Sequence, residues 1–207
     1  MKTQSCWITS MLIAAAAVGL CGCLNLKPVR VSATRYFVLS PIPATNAAPV
    51  AAPAVPPPAI GMGAVKLPSY LLKNAFVVRQ GANEVKYLET AAWAESLDRS
   101  LQLTLASDLA TRVPTDQLRL SAWRSDEVTC EIYVTVQQFD VDATGRGVLT
   151  AWWRILSPGG EKILKAGQFH ASRPGPDPRV DPQSAAATLS QLTADFSAEL
   201  ARTIKTF

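Results

Sequence analysis

Leucines at 97, 101, 105 and 109 recur every fourth position between Ala94 and Arg112. That spacing keeps one apolar stripe on one side of a helix, and Pro114 closes the run. A second stripe, Leu189, Leu192, Phe196 and Leu200, follows Asp181-Pro182, an N-cap and first-turn pair, and predicts a final helix ending near Lys205. Between the two stripes the period drops to two. From Val128 to Val141, Val128, Cys130, Ile132, Val134 and Val136 share one face, and Thr129, Glu131, Tyr133, Thr135, Gln137 and Phe139 the other. Thr144-Gly-Arg-Gly147 turns the chain into Val148–Leu156, with Leu149, Ala151, Trp153 and Ile155 on one face. Ser157-Pro-Gly-Gly160 turns it again into a strand from Lys162 to Ser172. Tight turns force antiparallel neighbours, so these three segments form a meander.

Weaker patterns precede these. Arg35–Ser40 and Ile60–Lys66 read as strands, Leu67–Leu71 as a turn or short helix, and Leu118–Trp123 as a further strand. Ala75–Arg79 and Glu84–Glu89 flank Gln80-Gly-Ala-Asn83 as a hairpin. Pro41–Ala59 is dominated by Pro and Ala, which favours an extended spacer of about 3.1 Å per residue. Together these predict one α/β domain, a mixed and mostly antiparallel sheet of about five strands with two long helices packed on it.

Composition narrows the function. Hydrophobic residues make up 48% of the 207 and charged residues 17%, and much of the apolar excess lies before Lys27. A net charge of +4 with no dense basic stripe argues against nucleic acid. His170 is the only histidine, so no Ser–His–Asp set can be built without it. Gly61-Met-Gly63 lacks the further glycine and Lys-Ser/Thr of a phosphate loop. Asp140 and Asp142 share a sheet face, a spacing that could pair them for acid catalysis or calcium, but near a turn they read as solvated residues. Trp152 and Trp153 place one indole on each face. No catalytic set, metal set or cofactor loop is found, and the chain is not expected to be an enzyme. Cys130, within an apolar strand, is expected to be a buried small hydrophobe.

The front of the chain has the n-region and apolar run of a secretory signal, too short for a membrane span. Leu20-Cys21-Gly22-Cys23 resembles a bacterial lipobox, with Leu24 after the cysteine. The resemblance implies a signal peptide over residues 1–22, lipid attachment at Cys23 and release to the outer membrane. Residues 23–34 would then be a lipidated tether and 35–207 the domain, with a linker at 41–59. Multiple acyl chains on one residue anchor stably.

A wider resemblance rests on Leu67-Pro-Ser-Tyr-Leu71, Glu84-Val-Lys-Tyr-Leu88, Trp93-Ala-Glu-Ser-Leu-Asp98 and Gln138-Phe139-Asp140, in that order behind the lipobox. The set resembles the PqiC-type ABC transport auxiliary lipoproteins, the outer-membrane lipoproteins of Pqi/MCE intermembrane transport systems. It implies a fold similar to the N-terminal domain of TolB. It also implies a lipid-anchored, periplasm-facing place at the outer membrane. The implied partner is a periplasm-spanning MCE-domain protein of the PqiB type, with an ABC permease and ATPase indirectly. The implied role is docking within lipid transport that maintains envelope integrity, with self-association as a ring among the family's habits. The alternative is an accessory lipoprotein for outer-membrane protein assembly or secretion.

Overall fold

A computed structural model of the chain describes residues 33–43, 58–113, 115 and 117–206. The signal segment, Cys23 and most of the Pro/Ala stretch lie outside these residues.

The long elements form where the periodicity places them. The meander is β6 (Cys130–Asp142), β7 (Gly147–Leu156) and β8 (Ile163–Arg173), antiparallel throughout. The hairpin is β3 (Ala75–Gly81) and β4 (Glu84–Trp93). The first helix, α1 (Leu97–Arg112), buries Leu97, Leu101, Leu105 and Leu109. It starts three residues later than the pattern suggests, because β4 runs on to Trp93 and stacks its indole 5.0 Å from the Phe76 ring. The second helix, α2 (Pro182–Ile204), opens as expected: the Asp181 carboxylate accepts from the Ser184 amide at 3.1 Å. Leu189, Leu192, Phe196 and Leu200 are all buried, and the Phe196 ring stacks 4.9 Å from Phe169 of β8.

The sheet has eight strands among the described residues, not about five. The additional strands are β1 (Arg35–Phe37), β2 (Ile60–Met62) and β5 (Leu118–Leu120), each of three residues. All three sit in the sheet by parallel pairing with distant partners: β1 with β4, and β2 with both β5 and β6. The four parallel pairings, β3 with β6 included, are short, while the long pairings are antiparallel. The strand expected over Ile60–Lys66 breaks after Met62, yet the Gly63 amide still donates to the Ile132 carbonyl of β6 at 3.0 Å, and Lys66 pairs with β6 again opposite Thr135.

β6 is the spine. On one side β7 pairs along nearly its whole length. On the other, β2 pairs with its first residues and β3 with its last. The register shifts between Val136 and Gln138, a bulge that inserts one residue. The bulge reverses the phase of the strand. Cys130, Ile132, Val134 and Val136 face the core before it, and Phe139 and Val141 after it. Phe139, assigned to the outer face by strict alternation, is therefore a core residue.

The two helices pack on each other and on one face of the sheet, and this face holds the core. A described arm, residues 33–43, carries β1 and then crosses toward the helices. The Ser40 amide donates to Ser190 Oγ at 3.1 Å, and the Ile42 amide to Asp108 Oδ1 at 2.8 Å.

Candidate functional site

Pro68, in an extended conformation, opens a single 3₁₀ turn over Ser69–Leu71. Leu71 plugs into the core, which holds Tyr70 against the sheet. β3 pairs with the end of β6 so that Val78 and Arg79 lie beside Val141 and Asp142. This register sets the Arg79 guanidinium against Asp140. The Tyr70 hydroxyl donates to Asp140 Oδ2 at 3.0 Å, and Arg79 Nη2 to the same oxygen at 2.7 Å. Arg79 Nε reaches both carboxylate oxygens at 3.2 Å, and Gln138 Nε2 donates to Oδ1 at 2.8 Å. Arg79 Nη2 also donates to the Tyr70 oxygen at 3.3 Å. The Tyr87 hydroxyl donates to the Tyr70 carbonyl at 3.2 Å, and the Lys73 ammonium lies 4.5 Å from the Tyr87 ring centre.

The electrostatics follow from burial. The Asp140 side chain is 1% exposed and that of Arg79 24%. A carboxylate so buried needs a charged partner and filled hydrogen bonds, and it has both. Burial, then the Asp140 charge, pushes the Tyr70 phenol far above its ordinary range, so it remains a donor. The hydrogen bonds Arg79 donates to Asp140 raise the guanidinium as well. With three side chains donating to it, Asp140 is a fastening point for the 3₁₀ turn, β3 and β6. The expectation that Asp140 is a solvated residue near a turn is corrected here: the Arg79 and Tyr70 side chains cover it.

Asp142 does a different job. Its Oδ1 accepts from the Thr144 hydroxyl at 2.6 Å and from the Thr144 and Arg146 amides at 2.8 and 3.0 Å, which closes the β6–β7 turn. The two aspartates therefore belong to separate hydrogen-bond networks. His170 Nδ1 lies 2.9 Å from Thr150 Oγ1 on the neighbouring strand. Cys130 is buried. Burial, then the Glu131 charge, pushes its thiol up to about 11, which keeps it a protonated small hydrophobe. Gly61 belongs to β2, where a Cβ would stand 2.6 Å from the Trp123 indole. Gly63, just after it, lies as close to Tyr133, at 2.8 Å. These glycines let two rings lie flat on the backbone and hold no phosphate loop.

The tandem tryptophans divide as their positions require. Trp153 is in the core, lying over Gly167 of β8, where a Cβ would meet its ring at 2.7 Å. Trp152 stands out from the opposite face with 57% of its surface exposed. It borders a cleft of about 560 Å³ with Lys66, Tyr133, Thr135 and Arg154. The helices cover the other face, so this outer surface is where an exposed indole can meet a partner.

The sequence motifs thus converge. Tyr70, Tyr87 and Gln138–Asp140 come from three separate motifs and join one bonded network. Arg79, its charged member, lies in none of them, and only the β3–β6 register could have located it.

A family model described as "ABC-type transport auxiliary lipoprotein component" matches residues 37–201. No curated protein matches the chain. Among solved structures, a crystal structure of an uncharacterized protein superposes with a TM-score of 0.65 at 23% identity, covering 83% of this chain and 99% of the other. A protein from Xanthomonas campestris superposes at 0.57 with 15% identity, covering 81% and 90%. These likenesses establish the fold.

Proposed function

The chain belongs to the family of ABC-type transport auxiliary lipoprotein components, and from that membership we propose that it is the outer-membrane docking component of an ABC/MCE-type intermembrane lipid transport system. In this reading Cys23 carries the lipid anchor, residues 1–22 are the removed signal peptide and residues 23–34 the tether. The domain faces the periplasm and engages a PqiB-type MCE-domain protein, acting by contact and not by catalysis. The observation that carries the reading is the family match across residues 37–201. Two features support it. Tyr70, Tyr87, Gln138 and Asp140, all from motifs of the resemblance, meet in one hydrogen-bonded network with Arg79. The outer sheet face presents Trp152 with Lys66 and Arg154 beside it, which form no ion pair with a described residue.

Crosslinking tests the proposal. A photoreactive amino acid at Trp152, in intact cells, is expected to capture the MCE-domain protein encoded alongside this chain. Absence of any such adduct, with the lipoprotein present at normal level, rejects the docking role.

A further inference from the structure

The domain contains a second buried carboxylate, treated quite differently from Asp140. Glu131, in β6, is 5% exposed, and among the described residues no Lys, Arg or His forms an ion pair with it. Its donors are all neutral. Oε1 accepts from Trp123 Nε1 at 3.1 Å and from the Gly159 amide at 2.9 Å, and Oε2 accepts from the Tyr133 hydroxyl at 3.0 Å. A carboxylate offers about four acceptor sites, so one on Oε2 is left open. A buried charge without a counter-charge is costly, and folds normally supply one.

Glu131 lines a pocket of about 410 Å³. Trp123 and Tyr133 line it too, as do Gly159 and Gly160. Ser121 also lines it at φ 70°, the only non-glycine described residue in left-handed conformation. Strain of that kind is retained where a site requires it. The chemistry on offer is one carboxylate oxygen and two aromatic walls. That suits an organic ammonium group, which takes a charge-assisted hydrogen bond together with ring faces. It does not suit a hard metal ion, which needs several oxygen ligands.

The neighbouring cleft adds the opposite charge. It shares Ala64 and Tyr133 with this pocket and brings in Lys66 and Arg154. The Arg154 guanidinium lies 5.5 Å from the Tyr133 ring centre, and neither basic residue forms an ion pair with a described residue. Tyr133 thus joins a pocket holding a carboxylate to a cleft holding two cations that form no ion pair with a described residue. We propose that this pair of pockets binds a zwitterion, its organic ammonium on Glu131 and its phosphate or carboxylate toward Arg154 and Lys66. The site stands whether or not the domain docks to an MCE-domain partner.

Indole NMR tests it. Full-length protein with ¹⁵N-labelled tryptophan, in uncharged detergent micelles, is titrated with glycerophosphoethanolamine, n-butylammonium and glycerophosphate. The Trp123 indole signal, identified through Trp123→Phe, is expected to shift saturably with the first two and not with glycerophosphate. Glu131→Gln is expected to weaken both by about tenfold or more, a loss of one charge-assisted contact. Arg154→Gln, at an exposed position, is expected to weaken glycerophosphoethanolamine only. No saturable shift in the wild-type protein, or an undiminished one in Glu131→Gln, overturns the ammonium site. Equal weakening of both ligands by Arg154→Gln overturns the zwitterion assignment. A short-chain phosphatidylethanolamine in the same micelles separates the two sources. Saturation at about tenfold lower concentration assigns a lipid headgroup, and equal saturation assigns a soluble zwitterion.

Discussion

The Tyr70 hydroxyl and Asp140 Oδ2 meet at 3.0 Å across seventy positions of sequence. That bond joins a one-turn segment to the sheet's central strand, and its energetics are asymmetric. Asp140 has no route to water, whereas Arg79 has a partial one. Arg79→Met strands a buried carboxylate and is expected to cost about 3–5 kcal/mol. Tyr70→Phe removes one of its donors and is expected to cost about 1–3 kcal/mol. Asp140→Asn is expected to fall below Arg79→Met, because the guanidinium can turn outward. Urea unfolding midpoints of the three variants give the order.

Two glycines of similar appearance are expected to respond oppositely. A Cβ at Gly81 meets nothing within 4 Å, so Gly81→Ala is expected to stabilise by up to about 1 kcal/mol through the unfolded chain. Gly145 has φ +90°, and a Cβ there collides with the Gly175 and Pro176 backbone. Gly145→Ala is expected to destabilise by more than about 1 kcal/mol and to loosen the β6–β7 turn. Thermal midpoints of the pair, measured together, check the contrast.

Asp108 gives a pH dependence of unusual sign. It is fully buried between the helices. Burial raises its carboxyl above the ordinary 3.8, against the opposing pull of the Ile42 amide, Arg112 and Ser197. A raised native pKa means the folded state binds the proton more tightly than the unfolded one. Its contribution is therefore fully present below 3.8 and is lost as pH rises through the raised native value. Asp108→Asn, which can still accept from the Ile42 amide, removes that dependence. The wild type is expected to lose stability relative to Asp108→Asn as pH rises across the carboxylic range. Urea midpoints in a pH series read the difference, and a wild-type advantage that grows with pH contradicts it.

Cys130 is expected to resist alkylation in the folded protein. Its thiol is buried and pushed up to about 11, so thiolate is scarce at pH 8. Iodoacetamide followed by mass spectrometry of the Cys130 peptide is expected to show modification only when urea is added. Modification at the native-state rate of an exposed thiol argues against the buried placement.

How much of this was legible beforehand depends on how far apart the interacting residues are. Leu97, Leu101, Leu105 and Leu109, and the Leu189–Leu200 stripe, announced both helices because helical periodicity is local. The β6–β7–β8 meander was legible because its turns are short. The short strands β1, β2 and β5 were legible as the strands read over Arg35–Ser40, Ile60–Lys66 and Leu118–Trp123, but their parallel partners were not, since those lie far along the chain. The bulge at Gln137 left no pattern either, and it moved Phe139 into the core. Tyr70 and Asp140 were visible as pieces of a family resemblance. Their bond was not, because it depends on how β3 lies against β6.

The arm at residues 33–43 has a mechanical consequence. β1 is bonded to the edge of β4, the Ser40 amide is held by α2, and the Ile42 amide is held by α1. Arg112 of α1 in turn grips Ser197 and the Ala194 carbonyl of α2. A pull arriving at Ala33 is therefore shared among the sheet and both helices within ten residues, and no single loop takes the strain. Whatever holds the chain upstream holds the whole domain as one rigid object. Its outer face, with Trp152, keeps a fixed relation to the point where the pull enters.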